Sequence, residues 1–137
     1  MGEIRVKVKL TNLQDETRFQ SGDILKSEIR TYDADAMVDT GAVRSVVPPH
    51  VLEKLGVSIR GSRVAEYADG RKDTVGISQG IIFDLMGRDT IEEALILGDE
   101  VLIGQTVLEK LDLLADCANR RLLPNPAHPD QPVSKVK

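Results

Sequence analysis

The residue of this chain best placed to do chemistry is Asp39, in the run Ala36-Met37-Val38-Asp39-Thr40-Gly41-Ala42. Small and apolar residues lead straight into an acid, a hydroxyl and a glycine, the pattern of a buried strand that ends in a tight turn. Such a turn holds a carboxylate at the edge of a core, where it costs free energy unless it is hydrogen-bonded or shares its charge. Two readings follow. Either nearby backbone N–H groups satisfy Asp39, as in ordinary Asp-containing turns, or the carboxylate is kept there to exchange protons.

Other reactive residue types form no such pattern. His50 and His128 are far apart and make no metal-ligand spacing with Cys117, so neither a metal nor a cofactor is expected. Ser45 lacks the strand-turn-helix elbow that exposes a nucleophilic serine, so a triad with either histidine would be coincidental. Cys117 is the only cysteine and forms no intrachain disulfide, which fits a reducing compartment and a core or turn position. The Glu92-Glu93 and Asp99-Glu100 pairs read as solvated edges.

With 18 basic and 22 acidic residues the net charge is -4, and no basic run is interleaved with aromatics, which argues against nucleic acid as a partner. No signal core and no stretch of membrane-spanning length is present, so no membrane association is expected. Gly2 starts a myristoylation pattern that Val6 leaves incomplete. These features predict a soluble cytoplasmic protein whose remaining partner class is a peptide or another protein.

The elements that must position Asp39 are mostly strands. Only Phe19, Tyr32, Tyr67 and Phe83 are aromatic, so the core must come from Val, Ile and Leu, a bias toward β structure. Ile4, Val6, Val8 and Leu10 alternate with Glu3, Arg5, Lys7 and Lys9, a strand with one wet face. The polar stretch from Thr11 to Gly22 predicts a loop or loose hairpin, followed by a strand around Ile24 to Tyr32. Asp33-Ala34-Asp35 then turns the chain into the run that delivers Asp39. Val43 to Val47 is extended, and Pro48-Pro49 opens a short helix that buries Val51, Leu52 and Leu55 until Gly56.

Val57 to Tyr67 and a strand through Val75 and Ile77 flank Ala68-Asp69-Gly70-Arg71, whose Asp-Gly pair favours a tight hairpin turn. Ile81 to Met86 and Ile91 to Leu97 are strand-like around a turn at Gly87-Arg88-Asp89. Leu102-Ile103-Gly104 is a second apolar run ended by glycine, and behind it Val107, Leu108 and Leu111 share a helical face. Leu-Glu-Lys-Leu recurs at Leu52 to Leu55 and Leu108 to Leu111, a hint of two quasi-equivalent units. Leu113 to Asp116 pairs with Arg120 to Leu123 around Cys117-Ala118-Asn119. At this length a single core is expected. Residues 1–123 form that domain, and residues 124–137 form a proline-containing polar tail, extended or disordered.

Taken together, the Asp39-Thr40-Gly41-Ala42 motif, Ser45, the Pro-started helix, the Ala-Asp-Gly hairpin and the Leu102-Ile103-Gly104 run resemble the retropepsin-like aspartic proteases, and more closely their small single-domain bacterial relatives. The resemblance spans roughly Ile4 to Pro124. It implies a small closed barrel of the pepsin-like kind, mostly β with one or two short helices, working as a homodimer. It also implies that Asp39 is catalytic, that Thr40 braces two active-site loops across the dimer, and that Gly41 lets the backbone come close. Leu102, Ile103 and Gly104 pack beside that loop. Ala42 and a hairpin flap near Tyr67 to Lys72, with Tyr67, Ala68, Asp69 and Gly70, contact the substrate.

The residues support this chemistry on their own terms. Peptide hydrolysis without a metal or nucleophile needs one group to take a proton from water and another to give one to the carbonyl. Two carboxyls about 3 Å apart that share a proton do both. The chain has one Asp-Thr-Gly, so two-fold symmetry would supply the second. The competing class is a peptide-binding or assembly module that keeps this fold without turnover. Arg44 is read as facing solvent, with steering of acidic substrates as the alternative.

Overall fold

Period-two patterning shapes the first strand. β1 (Ile4–Asn12) buries Ile4, Val8 and Leu10 and exposes Arg5, Lys7 and Lys9, as the alternation predicts. It pairs antiparallel with β2 (Thr31–Val38), Ile4 lying opposite Val38 and Thr11 opposite Thr31. Lys7 faces Asp35 and Lys9 faces Asp33 on the wet side, an opposite-charge pairing that favours this register. Asp33-Ala34-Asp35 therefore lies within a strand and not in a turn. The strand expected from Ile24 gives way to irregular chain with a 3-10 turn at Lys26–Glu28.

The structure is a computed structural model that describes residues 3–136; the Gly2 reading lies outside the described residues. Where a loop was expected, the chain forms α1 (Leu13–Gln20). This helix has no apolar stripe to announce it. Its start is fixed by Asn12, whose side chain accepts the Asp15 N–H at 3.0 Å, with Asp15 and Glu16 in the first turn. Asp15 is buried and takes the Arg30 backbone N–H at 3.0 Å, Nε at 2.8 Å and Nη2 at 3.0 Å.

The remaining elements are β3 (Val46–Val47), α2 (Pro49–Leu55), β4 (Ile59–Glu66), β5 (Lys72–Ser78), β6 (Ile81–Leu85), β7 (Arg88–Glu92), β8 (Leu95–Ile96), β9 (Leu102–Ile103), α3 (Gln105–Leu111), β10 (Leu113–Asp116) and β11 (Arg121–Pro124). Nine strands form one curled sheet in the order β4-β5-β8-β3-β9-β2-β1-β6-β7, and β10-β11 forms a separate hairpin. The mostly β class expected from the sequence is what the chain adopts. Two details differ. The sheet is a half-barrel, not a closed one: among the described residues its edge strands β4 and β7 do not pair. β4 accordingly stands out from the core, with only Ala65 of its residues buried. The described residues also form three short α-helices, not one or two.

Aliphatic residues build the core, Leu10, Leu55, Ile81, Leu85, Ile103 and Leu111 forming one buried cluster with Phe83. The turn expected at Gly87-Arg88-Asp89 sits one residue earlier, at Met86 (φ 54) and Gly87 (φ 75), which draws Arg88 into β7. α2 and α3 behave as the shared Leu-Glu-Lys-Leu suggests. Each buries three apolar residues and ends in a left-handed residue, Gly56 (φ 67) and Asp112 (φ 56). The chain beyond Pro124, expected as an extended or disordered tail, is tied back as far as Val133. Asp112 accepts from the Asn125 side-chain amide at 3.0 Å and the Val133 N–H at 3.1 Å, and contacts His128 Nδ1 at 2.6 Å. No helix among the described residues is long and apolar enough to cross a membrane.

Candidate active site

Asp39 stands where β2 stops. β2 runs parallel to β9, Met37 beside Leu102 and Val38 beside Ile103. The last rung of that ladder is the Asp39 N–H, which donates to the Ile103 carbonyl at 2.9 Å. The chain then turns sharply, the Ala42 N–H reaching the Asp39 carbonyl at 3.2 Å and the Gly41 N–H reaching Asp39 Oδ1 at 3.0 Å. The second contact is the local turn bond of the structural reading. Oδ2 accepts no hydrogen bond among the described residues, so one carboxylate oxygen fixes the turn and the other is left open. A Cβ on Gly41 would lie 3.3 Å from Oδ1, so a glycine keeps this approach open. Asp39 and Ala42 are half-buried, Thr40 and Gly41 exposed, and Val43 is 70 % exposed.

The loop behind this tip is held by the start of α3. A helix leaves its first N–H groups without partners inside the helix, and Gly104 at the N-cap offers no side chain for them. The loop supplies the acceptors: Gln105 N–H donates to the Ala42 carbonyl at 2.8 Å, and Thr106 gives both its N–H and its Oγ1 hydroxyl to the Val43 carbonyl at 3.0 Å. Buried Ser45 closes the loop, its Oγ accepting the Gly104 N–H at 2.9 Å and its carbonyl the Leu95 N–H at 3.0 Å. Gly104 is required by this crossing. A Cβ there would sit 2.5 Å from the carbonyl carbon of Arg44 and 2.9 Å from the Ser45 nitrogen, and both are backbone atoms that cannot swing away.

The hairpin tip is separate. β4 and β5 pair from Gly61 opposite Ile77 to Glu66 opposite Lys72. The turn closes through Tyr67 N–H to the Arg71 carbonyl at 2.8 Å and Gly70 N–H to the Tyr67 carbonyl at 2.9 Å. Asp69 serves the turn, accepting from the Arg71 N–H at 3.0 Å and Nε at 2.8 Å, while the Arg71 guanidinium lies 4.8 Å from the Tyr67 ring centroid. Ala68, Asp69 and Gly70 are exposed. No hydrogen bond among the described residues joins this tip to the Asp39 loop. The ladder β5-β8-β3 connects the two.

Ser45 is thus a clamp and not a nucleophile. His50 is exposed at the start of α2, His128 serves Asp112, and Cys117 is exposed in the β10-β11 turn. Arg44 is half-buried. Among the described residues no cluster of His, Cys, Asp or Glu could hold a metal. The carboxyls with depressed pKa values lie away from the loop: Asp15, held low by hydrogen bonds from Arg30; Asp112, held low by Asn125, then Val133 and His128; and Asp116 at the end of β10, held low by Asn119 and then Arg121. Sequence reasoning marked Gly104 but missed Thr106 and the clamping role of Ser45. Their partners lie 63 and 59 residues away, where no local pattern reaches.

No family model matches the chain, and no curated protein matches it. Among solved structures, the chain is similar to the simian foamy virus (mac) protease in solution, with a TM-score of 0.48 at 16 % identity over 76 % of this chain and 90 % of that one. It is also similar to a foamy viral protease-reverse transcriptase in complex with an RNA/DNA hybrid, with a TM-score of 0.47 at 15 % identity over 77 % of this chain; it spans 11 % of that larger chain.

Proposed function

We propose that this chain is a retropepsin-like aspartic endopeptidase that acts on extended peptide segments as a homodimer. The observation that carries this reading is the Asp39 carboxylate: one oxygen fixed by the Gly41 N–H, the other open, on a loop clamped everywhere except at its exposed tip. The clamp that caps α3 also fixes the loop carrying Asp39, which a catalytic group needs, since a misplacement of about 1 Å can cost roughly a hundredfold in rate.

One carboxyl cannot act as base and acid in the same step, and an exposed Thr40-Gly41 tip is free to meet its symmetry copy. In the dimer, the ionised Asp39 takes a proton from water as the water oxygen bonds to the scissile carbonyl carbon. The partner's Asp39 gives its proton to the carbonyl oxygen. As the resulting diol breaks down, Asp39 gives the proton it took from water to the leaving nitrogen and the C–N bond cleaves, while the partner's Asp39 takes a proton from a diol hydroxyl as the carbonyl re-forms, so the pair again shares one proton. Thr40 braces the two loops. Ala42 and the Tyr67-Ala68-Asp69-Gly70 tip line the peptide, the hairpin offering backbone groups to an extended strand.

The Gly41 to Asp39 bond also suits a second reading, a peptide-binding module in which Asp39 only shapes the turn. Asp39→Asn separates the two. Asparagine keeps the acceptor for Gly41 but cannot exchange a proton, so cleavage of a mixed peptide digest should fall by at least about a thousandfold with peptide binding intact. Wild-type activity should fall on dilution as the dimer dissociates. Equal cleavage by both proteins would sink the enzyme, and a folded wild-type dimer that binds peptide and cuts none at any pH would favour the module.

A further inference from the structure

We propose that Glu92 is a positioning residue for the Asp39 loop, acting through the backbone of Ser45 and held in place by Lys110. The inference rests on the enzymatic reading for its catalytic consequence, while its structural half stands apart from it. Glu92 ends β7, and its side chain is 4 % exposed. A carboxylate so placed costs free energy unless other groups answer its charge. Lys110 Nζ of α3 lies 3.5 Å from Oε1 and is itself fixed at 2.9 Å to the Ile91 carbonyl, and the Ser45 N–H reaches Oε2 at 3.4 Å. A surface salt bridge does not require burial of the acid. Burial here places the carboxylate against Ser45, in a loop that has no strand ladder of its own.

Ser45 is the residue at which the loop meets both supports. Its hydroxyl takes the Gly104 N–H, its carbonyl the Leu95 N–H, and its own N–H has Glu92 as its acceptor. The Ser45 nitrogen is also one of the atoms crowding Gly104. A shift of Ser45 therefore moves the crossing and the loop that begins at Asp39. Glu92 and Lys110 flank the groove beside this loop with Val43, Arg44, Glu93 and Thr106. Glu93 is drawn off by Arg60 at 3.1 Å, which leaves Glu92 as the carboxylate on Ser45.

Three variants test this: E92V, which removes the acceptor; E92Q, whose amide oxygen still accepts the Ser45 N–H; and K110M, which removes the cation. Amide-exchange protection of Ser45 and Gly104 is read first, because it needs no activity. Protection at both should fall about tenfold or more in E92V, by less in K110M, and be largely kept in E92Q. On a peptide substrate, kcat should fall about ten- to a hundredfold in E92V with KM within about twofold, and E92Q should recover to within about threefold of wild type. A residue needed only for folding would change both constants and show no recovery by the amide. If E92V does not fold, K110M and E92Q carry the test through the same amides. Unchanged protection at Ser45 and Gly104 across the folded variants overturns the proposal, as does loss of kcat without loss of protection. If wild type cleaves nothing while these amides respond as expected, the enzymatic reading fails and the positioning of the loop stands.

Discussion

α2 and α3 share Leu-Glu-Lys-Leu, bury equivalent residues and end in the same left-handed conformation, yet only α3 holds the Asp39 loop. The difference lies just before the repeat. α2 opens on Pro48-Pro49: Pro49 has no N–H to offer, and the Pro48 carbonyl takes the N–H groups of both Val51 and Leu52. α3 opens on Gly104-Gln105-Thr106, whose N–H groups find their acceptors in Ser45, Ala42 and Val43. A helix start that meets its own needs requires only a place in the core. One with free donors can also hold a loop, and the same four residues serve both.

The largest test of this contrast replaces the glycine beside each helix. In Gly104→Ala the new Cβ meets backbone at 2.5 Å, so the loop must move. Overpacking of this kind costs about 1–3 kcal/mol and misplaces Asp39, so peptide cleavage should fall by at least roughly a hundredfold. In Gly56→Ala the new Cβ meets the Arg30 guanidinium, the far end of a flexible side chain, and the residue is strained by its positive φ. That costs about 1 kcal/mol, with activity within about threefold of wild type. Urea melts and peptide kinetics on both variants decide it. Similar losses of activity would show that α3 has no special hold on the loop.

A smaller effect separates the two helix ends. The Leu55 carbonyl of α2 is met by Asn12 Nδ2 at 2.9 Å. At the end of α3, Arg88 Nη1 meets the Leu111 and Asp112 carbonyls at 2.9 and 3.1 Å, and Nη2 meets the His128 carbonyl at 3.0 Å. Arg88→Met leaves three acceptors without their donor and should cost about 2–4 kcal/mol, while Asn12→Ala, which loses that bond and the α1 cap, should cost about 1–2 kcal/mol. Thermal melts of the two variants give the order, and the reverse order would show that the tail adds nothing to the α3 end.

What the sequence made legible follows from how far each interaction reaches. The β1 alternation, the Pro-started helix, the Asp-Gly hairpin and the strand-glycine-helix around Gly104 are local patterns, and the structure keeps all four. α1 was missed because its stability comes from the Asn12 cap and the Asp15 pair with Arg30, and not from an apolar stripe. Asp33-Ala34-Asp35 misled because the same acids that mark turns also suit the wet face of a strand opposite lysines. At the candidate site, Asp39 and Gly104 stand out by residue type. Ser45, Thr106 and Glu92 do not, because their roles are set by chain crossings that no local spacing encodes.

The smallest expected effect concerns the charge at the two ends. A carboxyl with a depressed pKa stands near each end: Asp15 in the first turn of α1, lowered by Arg30, whose guanidinium lies beside Gly56 at the end of α2, and Asp112 at the end of α3, lowered by Asn125, Val133 and His128. A carboxyl lowered in the folded state contributes stability that is complete above its unfolded pKa and is lost as pH falls through its folded value. Acid should therefore loosen both ends below the ordinary carboxylate range, by separate local events. Protection of the Val133 amide, which donates to Asp112 Oδ2, reports the α3 end alone. In wild type that protection should hold near neutrality and fall on acidification. In Asp112→Asn it should be lower at neutral pH and flat through the acid range, because the titrating group is gone, whereas the Arg30 amide, bonded to Asp15, should keep its acid dependence. An unchanged Val133 profile in Asp112→Asn would mean that the strap is held by its other contacts, among them the Arg88 bond to the His128 carbonyl, and that the two helix ends differ in geometry but not in their response to protons.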